Sequence, residues 1–164
     1  KLGPDVVTET PNPRVTLDDT PIDLYFSPDD HVQASFLDLV DNAQESIYFM
    51  AFSFTADPIG EAVRARAVDG VTVAGVMETE QVKSNIGTEF DPFKQAGLDV
   101  AMDGNPGQMH HKVMIIDQSI VIFGSYNFTA SAETRNDENL LVIYNAEIAE
   151  WFIAEFQRVY AQAH

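Results

Sequence analysis

The chain has 164 residues, 45% of them hydrophobic, with 26 Asp and Glu against 9 Lys and Arg, a formal net charge of −17. Such a length and apolar content suit one domain with a buried core, and the absence of cysteine excludes disulfides, thiolate catalysis and cysteine-ligated zinc. No apolar run approaches the roughly 18 residues that cross a bilayer and no charged-then-apolar leader opens the chain, so a soluble domain without a membrane span is expected.

Residues 1–20 hold Pro4, Pro11 and Pro13 among Thr and Asp without a sustained period, and they read as a linker or extended arm. The domain proper is expected over 21–164. A strand is predicted at 22–27, then a helix capped by Ser27 or Asp29 that turns Val32, Phe36, Leu37 and Val40 to one side, with His31 exposed in its first turn. The run SIYFMAFSF (46–54) is almost continuously apolar, as in a strand covered on both faces. DPIGEAVRARAVDG reads as a helix with Asp57 as cap, Pro58 in the first turn and Gly70 past its end, Arg64 and Arg66 being solvated. Residues 71–77 form a further buried strand. One helix is predicted around EFDPFKQAG and a short strand at 98–102.

After the Gly/Pro loop DGNPGQ, the segments HKVMIID and SIVIFGS read as two strands joined by a tight turn at Gln118. ENLLVIY (138–144) is another strand. The chain closes in an amphipathic helix with Ile148, Trp151, Phe152, Phe156 and Val159 facing inward. Alternating strands and helices argue for an α/β layered structure with parallel strand pairs.

The residues that carry chemistry lie around the predicted hairpin. Side chains alternate along a strand, so His110 and Lys112 share one face and His111 takes the other. An imidazole and a fixed positive charge can thus meet one small anion. Gly124, Ser125 and Asn127 follow the second strand, where glycine permits close backbone approach and the other two offer neutral hydrogen bonds to phosphoryl oxygens. Arg135, Asp137 and Glu138 come next. His111 reads as packed or hydrogen-bonded behind the site. Phe52, Phe54, Tyr126 and Phe128 lie on elements that should border the site and could stack bases or touch acyl chains, with core packing the leading expectation for each. Arg135 either recruits a phosphate or pairs with Glu133, Asp137 or Glu138.

The pattern HxKxxxxD (His110, Lys112, Asp117), followed by GSxN (Gly124, Ser125, Asn127) and Glu138, resembles the signature of the phospholipase D superfamily. GSYNFTASAETRNDENLLVI is similar to the small bacterial endonucleases of that superfamily, and MHHKVMIID also resembles the mitochondrial cardiolipin hydrolase branch. The resemblance runs from about residue 22 to the end. It implies a layered α/β sandwich with a mixed, largely parallel central sheet and helices on both faces.

It also implies a metal-independent phosphodiesterase that needs no cofactor. In that scheme one motif histidine attacks phosphorus to form a phosphohistidine, and a second protonates the leaving oxygen. His110 would be nucleophile or acid. Lys112 and Asn127 would hold the non-bridging oxygens with help from Ser125, and Glu138 would orient a histidine ring. Asp117 and Gly124 are expected to be structural, Asp117 because its odd offset from His110 sends it to the other face or into the turn.

The family scheme needs two motifs and the chain has one. Either two copies share a site as a homodimer, or a second motif-bearing domain is missing from this chain. Nuclease action on DNA or RNA is the leading expectation. A phospholipid hydrolase or transphosphatidylase is the alternative, as is one half of a two-motif enzyme that is idle alone. The acidic field opposes a polyanion, so a nucleic-acid substrate would need a local positive patch. The first residue, Lys1, leaves the compartment open, an exported or cell-envelope bacterial protein being one candidate.

Overall fold

The structure is a computed structural model that describes Thr10 and residues 13–164. Its strands are β1 (Arg14–Leu17), β2 (Thr20–Ser27), β3 (Ser46–Ala51), β4 (Thr72–Met77), β5 (Asp99–Met102), β6 (Lys112–Ile116), β7 (Ile120–Gly124) and β8 (Glu138–Tyr144). Its helices are α1 (Val32–Asp41), α2 (Asp57–Val68), α3 (Thr79–Ser84), α4 (Phe90–Gln95), α5 (Ala130–Thr134) and α6 (Ala146–Gln162). The eight strands form one sheet in the order β1-β2-β8-β7-β6-β3-β4-β5. The sheet is mixed, as expected, but its balance is not largely parallel. Among the described strands only β3-β4 and β4-β5 run parallel; β6, β7 and β8 form an antiparallel meander, with a tight turn between β6 and β7 and a loop carrying α5 between β7 and β8.

Helices cover both faces. On one, Val32 and Phe36 of α1, Ile59 and Val63 of α2 and Phe93 of α4 pack against Ile47, Phe49, Met114, Ile116, Ile122 and Val142 of the sheet. On the other, Ala149, Phe156 and Val159 of α6 cover Met50, Val76, Val113, Ile115 and Val121. Strands β3, β6 and β7 thus supply apolar residues to both layers, which is why they read as continuous apolar runs.

Several local expectations are corrected. Residues 14–20, placed in a linker or arm, belong to the sheet: β1 pairs antiparallel with β2, as Arg14↔Asp23 through Leu17↔Thr20. The rest of that arm, apart from Thr10 and Pro13, lies outside the described residues. Helix α1 is not capped by Ser27 or Asp29. Its N-cap is His31 in the left-handed region (φ 51°), and the exposed N–H of Gln33 donates to Glu133 of α5 at 2.9 Å, a tertiary cap in place of a local one. Asp57 is the first residue of α2 and Ala56 is its cap.

The polar stretch after β4 makes two short helices, α3 and α4, because Glu78 caps the first by accepting from the Gln81 N–H at 2.6 Å. Arg64 and Arg66 are not simply solvated: Arg64 pairs with the buried Glu89 and Arg66 with Asp69. Ile148, Phe152, Phe156 and Val159 of α6 pack inward as expected, with Ala149 beside them, but Trp151 lies on the outer side at 63% exposure. The hairpin turn is as expected, with Asp117 and Gln118 both at positive φ (50° and 52°).

Candidate active site

The β6 and β8 strands begin, and β3, β4 and β7 end, on one edge of the sheet. Pairing of Ala51 with Lys112 and with Met77 aligns the ends of β3 and β4 with the start of β6. Pairing of Gly124 with Leu140 aligns the end of β7 with the start of β8. All the motif residues except Asp117 therefore gather on this edge.

Strand β6 starts at Lys112, so His110 and His111 precede the ladder rather than lying in it. Even so, His110 and Lys112 meet as expected. Lys112 Nζ lies 3.2 Å from Nδ1 and 3.4 Å from Nε2 of His110 and donates to the His110 carbonyl at 3.0 Å. Lys112 is 8% exposed while His110 is open to solvent. Burial, and then the Lys112 charge, hold the His110 imidazole below its ordinary range, with Glu78 opposing. Burial also lowers the Lys112 ammonium, against the pull of Glu138. A neutral imidazole beside a half-desolvated cation can attack an electrophile that carries negative charge.

His111 turns the other way. Its Nε2 lies 3.1 Å from Glu155 of α6, which also accepts from Arg158 at 2.7 and 2.8 Å. His111 is thus tied to the back layer, while its carbonyl accepts the Phe52 N–H at 2.7 Å.

Ser125 and Glu138 are paired with each other. The Ser125 hydroxyl donates to Glu138 at 2.6 Å and accepts the Asn139 N–H at 3.1 Å, while Asn136 donates to the other Glu138 oxygen at 3.0 Å. Neither carboxylate oxygen of Glu138 bonds His110 within the chain, and the Ser125 hydroxyl proton points to Glu138. Gly124 is required by contact rather than by φ: a Cβ there would collide with the Asn139 carbonyl across the β7-β8 pair. The Asn127 side-chain oxygen is buried with no hydrogen-bond partner among the described residues, which costs about 1–3 kcal/mol and is tolerated chiefly at functional sites.

Asp117 lies at the opposite end of β6. Its carboxylate accepts the N–H groups of Gln44, Glu45 and Ser46 at 2.9, 2.7 and 3.0 Å. Burial pushes its carboxyl up, but the three backbone donors outweigh that and hold it below the usual range. Phe54, Tyr126 and Phe128 are core residues at 1%, 0% and 1% exposure. Phe52 is not: it is half-buried, its ring centroid 4.3 Å from that of His110 and 4.7 Å from Lys112 Nζ. Arg135 is exposed and forms no ion pair with Glu133, Asp137 or Glu138.

Sequence reasoning overlooked Glu78. It is 1% exposed at the end of β4, beside Ala51, whose carbonyl accepts its N–H at 3.0 Å. A lone acid after a valine-rich strand gives no sign of this; the signal was its place before the short helix it caps. Among the described residues no group of three or more His, Asp or Glu side chains could hold a metal ion, and no helix is long and apolar enough to cross a membrane.

Comparison with known proteins agrees with this geometry. A family model described as cardiolipin synthase, PLD-like domain matches residues 36–160. A phospholipase D of Rickettsia bellii is 32% identical over 90% of this chain and 76% of its own length. The human mitochondrial cardiolipin hydrolase is 34% identical over 73% of this chain and 47% of its own. The chain thus spans about half the length of several curated relatives it matches. Two solved structures superpose with TM-scores of 0.81. Nuc of Salmonella typhimurium, a phospholipase D family member, is 33% identical, covering 88% of this chain and 97% of that one; NucT of Helicobacter pylori is 25% identical, covering 87% and 97%. With the motif residues on one sheet edge and these similarities over most of its length, the chain belongs to the phospholipase D superfamily of phosphodiesterases.

Proposed function

We propose that the chain is a metal-independent phosphodiesterase acting through a phosphohistidine, complete only as a homodimer, with nucleic acid as its substrate. The observation that carries this is the pairing of a neutral His110 with the half-desolvated Lys112 at an open site whose adjacent His111 is engaged elsewhere. His111 is engaged by Glu155 and His164 stacks on Tyr160, while His31 lies exposed at the start of α1 with no side-chain cap bond.

In the proposed step the His110 imidazole attacks phosphorus, forming a P–N bond as the P–O bond to the leaving group breaks. Lys112 and Asn127 balance charge on the non-bridging oxygens. The leaving oxygen takes its proton from His110 of a second copy, which then helps water open the phosphohistidine. Glu138, engaged by Ser125 within its own chain, would face a histidine across the two-fold axis, a role that an isologous interface allows.

The nuclease reading is supported by size. This chain covers 97% of Nuc and of NucT, but 47–76% of the phospholipase D and cardiolipin hydrolase relatives described above. A phospholipid substrate is the second reading, favoured by the names of those relatives and by a net charge of −17 that repels polyanions.

The test is hydrolysis of an activated aryl phosphodiester in excess EDTA by the wild type and by His110→Asn, followed by mixing the two after subunit exchange. Chelator-resistant activity that is lost in the variant, and that falls with the square of the wild-type fraction, is the expected result. Activity falling linearly with that fraction overturns the shared site; loss in EDTA overturns metal independence.

A further inference from the structure

We propose that Phe52 is a positioning residue of this reaction, its ring clamping His110 and Lys112 into one attack geometry. The inference rests on the phosphodiesterase reading above and adds a residue outside its motif.

His110 has little else to orient it. It precedes β6, it is open to solvent, and no carboxylate among the described residues bonds its ring. A histidine so placed can turn about two side-chain torsions, and a nucleophile must present one nitrogen along one line. Two groups limit that freedom. Lys112 Nζ sits 3.2 and 3.4 Å from the two ring nitrogens, too even a contact to select one of them. The Phe52 ring lies 4.3 Å from the His110 ring at a 53° tilt, the kind of aromatic contact that fixes a ring plane.

The same Phe52 ring receives Lys112, whose Nζ is 4.7 Å from its centroid. Imidazole, ammonium and phenyl thus close a triangle. Its third corner is itself anchored: the Phe52 N–H donates to the His111 carbonyl at 2.7 Å, and the preceding Ala51 pairs with Lys112 in the sheet. Phe52 follows directly on β3 and is fixed to the same edge as the motif. Its neighbours Phe49 and Phe54 are fully buried in the core, whereas Phe52 is left half-exposed beside the two reactive groups.

The ring also withholds water from one side of the imidazole. Burial is the leading reason that His110 sits below its ordinary range; Lys112 and His111 act in the same direction and Glu78 opposes them. Removing the phenyl ring therefore moves the His110 titration upward while freeing its torsions.

The experiment compares wild type, Phe52→Leu and Phe52→Tyr in the full chain. It uses steady-state hydrolysis of an activated aryl phosphodiester and an NMR titration of the imidazole signals, with His110 assigned from His110→Asn. Phe52→Leu is expected to lower kcat at least about tenfold with KM within about twofold, as for a misplaced nucleophile, and to raise the His110 titration midpoint. Phe52→Tyr, which keeps the ring, is expected to restore kcat to within about threefold of wild type. Unchanged kcat per folded molecule in Phe52→Leu, or Phe52→Tyr as impaired as Phe52→Leu, overturns the proposal. Should wild type not hydrolyse the ester, the phosphodiesterase reading fails, and an unmoved His110 titration in Phe52→Leu then separately overturns the clamp. If Phe52→Leu does not fold, Phe52→Met replaces it with the same outcomes.

Discussion

Lys112 Nζ stands 3.2 Å from Nδ1 of His110, closer than a protonated imidazole would tolerate. Burial first, and then the Lys112 charge, thus favour the pair with one charge rather than two. Proton affinity and reactivity are set by the same contact.

The pH profile follows from the sign of this shift. His110 is held below the usual imidazole value of about 6.5. A nucleophilic role needs the neutral ring, so the acid limb of the rate profile is expected below about 6.5, while the need for a protonated His110 in the second copy adds a fall on the alkaline side. Lys112→Met removes the repulsion, so it is expected to move the His110 titration upward by NMR even though the rate falls by about 10²-fold or more through lost charge stabilisation. A His110 titration that moves downward in Lys112→Met contradicts the pairing.

Asp117 is a structural acceptor and its loss is expected to cost stability, not chemistry. Asp117→Ala strands the N–H groups of Gln44, Glu45 and Ser46 and should destabilise the fold by about 1–3 kcal/mol in a denaturant titration, with kcat per folded molecule retained. Its folded pKa is depressed, so its contribution is present above the unfolded value near 3.9 and is lost as pH falls through the folded one. The stability gap between wild type and Asp117→Ala should narrow in that acid window.

Gly124→Ala tests why the motif holds a glycine. The added methyl meets the Asn139 carbonyl, a backbone atom that moves only if β7 and β8 separate. A loss of about 1–3 kcal/mol is expected, as for other overpacked sites. The Ser125 to Glu138 bond lies next along the same ladder, so activity per folded molecule should fall too; a variant as active as wild type would show that the ladder absorbs the methyl harmlessly.

Arg64 and Glu89 couple α2 to the loop before α4. Glu89 is 3% exposed, and burial raises its carboxyl despite the Arg64 charge. Arg64→Gln leaves a buried carboxylate uncompensated and is expected to cost about 3 kcal/mol near neutral pH. A raised folded pKa means that the native state takes up the proton first as pH falls. The penalty of Arg64→Gln should therefore shrink toward acid; a penalty independent of pH would assign the loss to packing, including the contact of Arg64 with the Phe93 ring.

Much of the site was legible because motif spacing is a local property. His110, Lys112, Gly124, Ser125, Asn127 and Glu138 lie within 29 residues on adjoining strands of a meander, so the distance between them in sequence limits their distance in space. Phe52 and Glu78 come from β3 and β4, brought to the same edge by pairings that no single segment encodes. Phe52 was placed on an element bordering the site, though with core packing as its leading role; Glu78 was not singled out. Ser125, expected to face a phosphate, instead donates to Glu138, a choice between two acceptors that depends on the register of β7 and β8.

The fold divides in the same way. Continuous apolar runs determined β3, β4, β6 and β7 by themselves, because a strand buried on both faces has no polar alternation to disguise it. The outward turn of Trp151, the capping of α1 by Glu133 and the recruitment of residues 14–17 as an edge strand depended on partners far along the chain. Covalent order and side-chain chemistry determined which groups could react with a phosphodiester. Strand alternation already separated the two adjacent histidines; only the tertiary structure decided what holds each, since Glu155 of α6 draws His111 to the back layer while Lys112 and Phe52 hold His110 at the sheet edge.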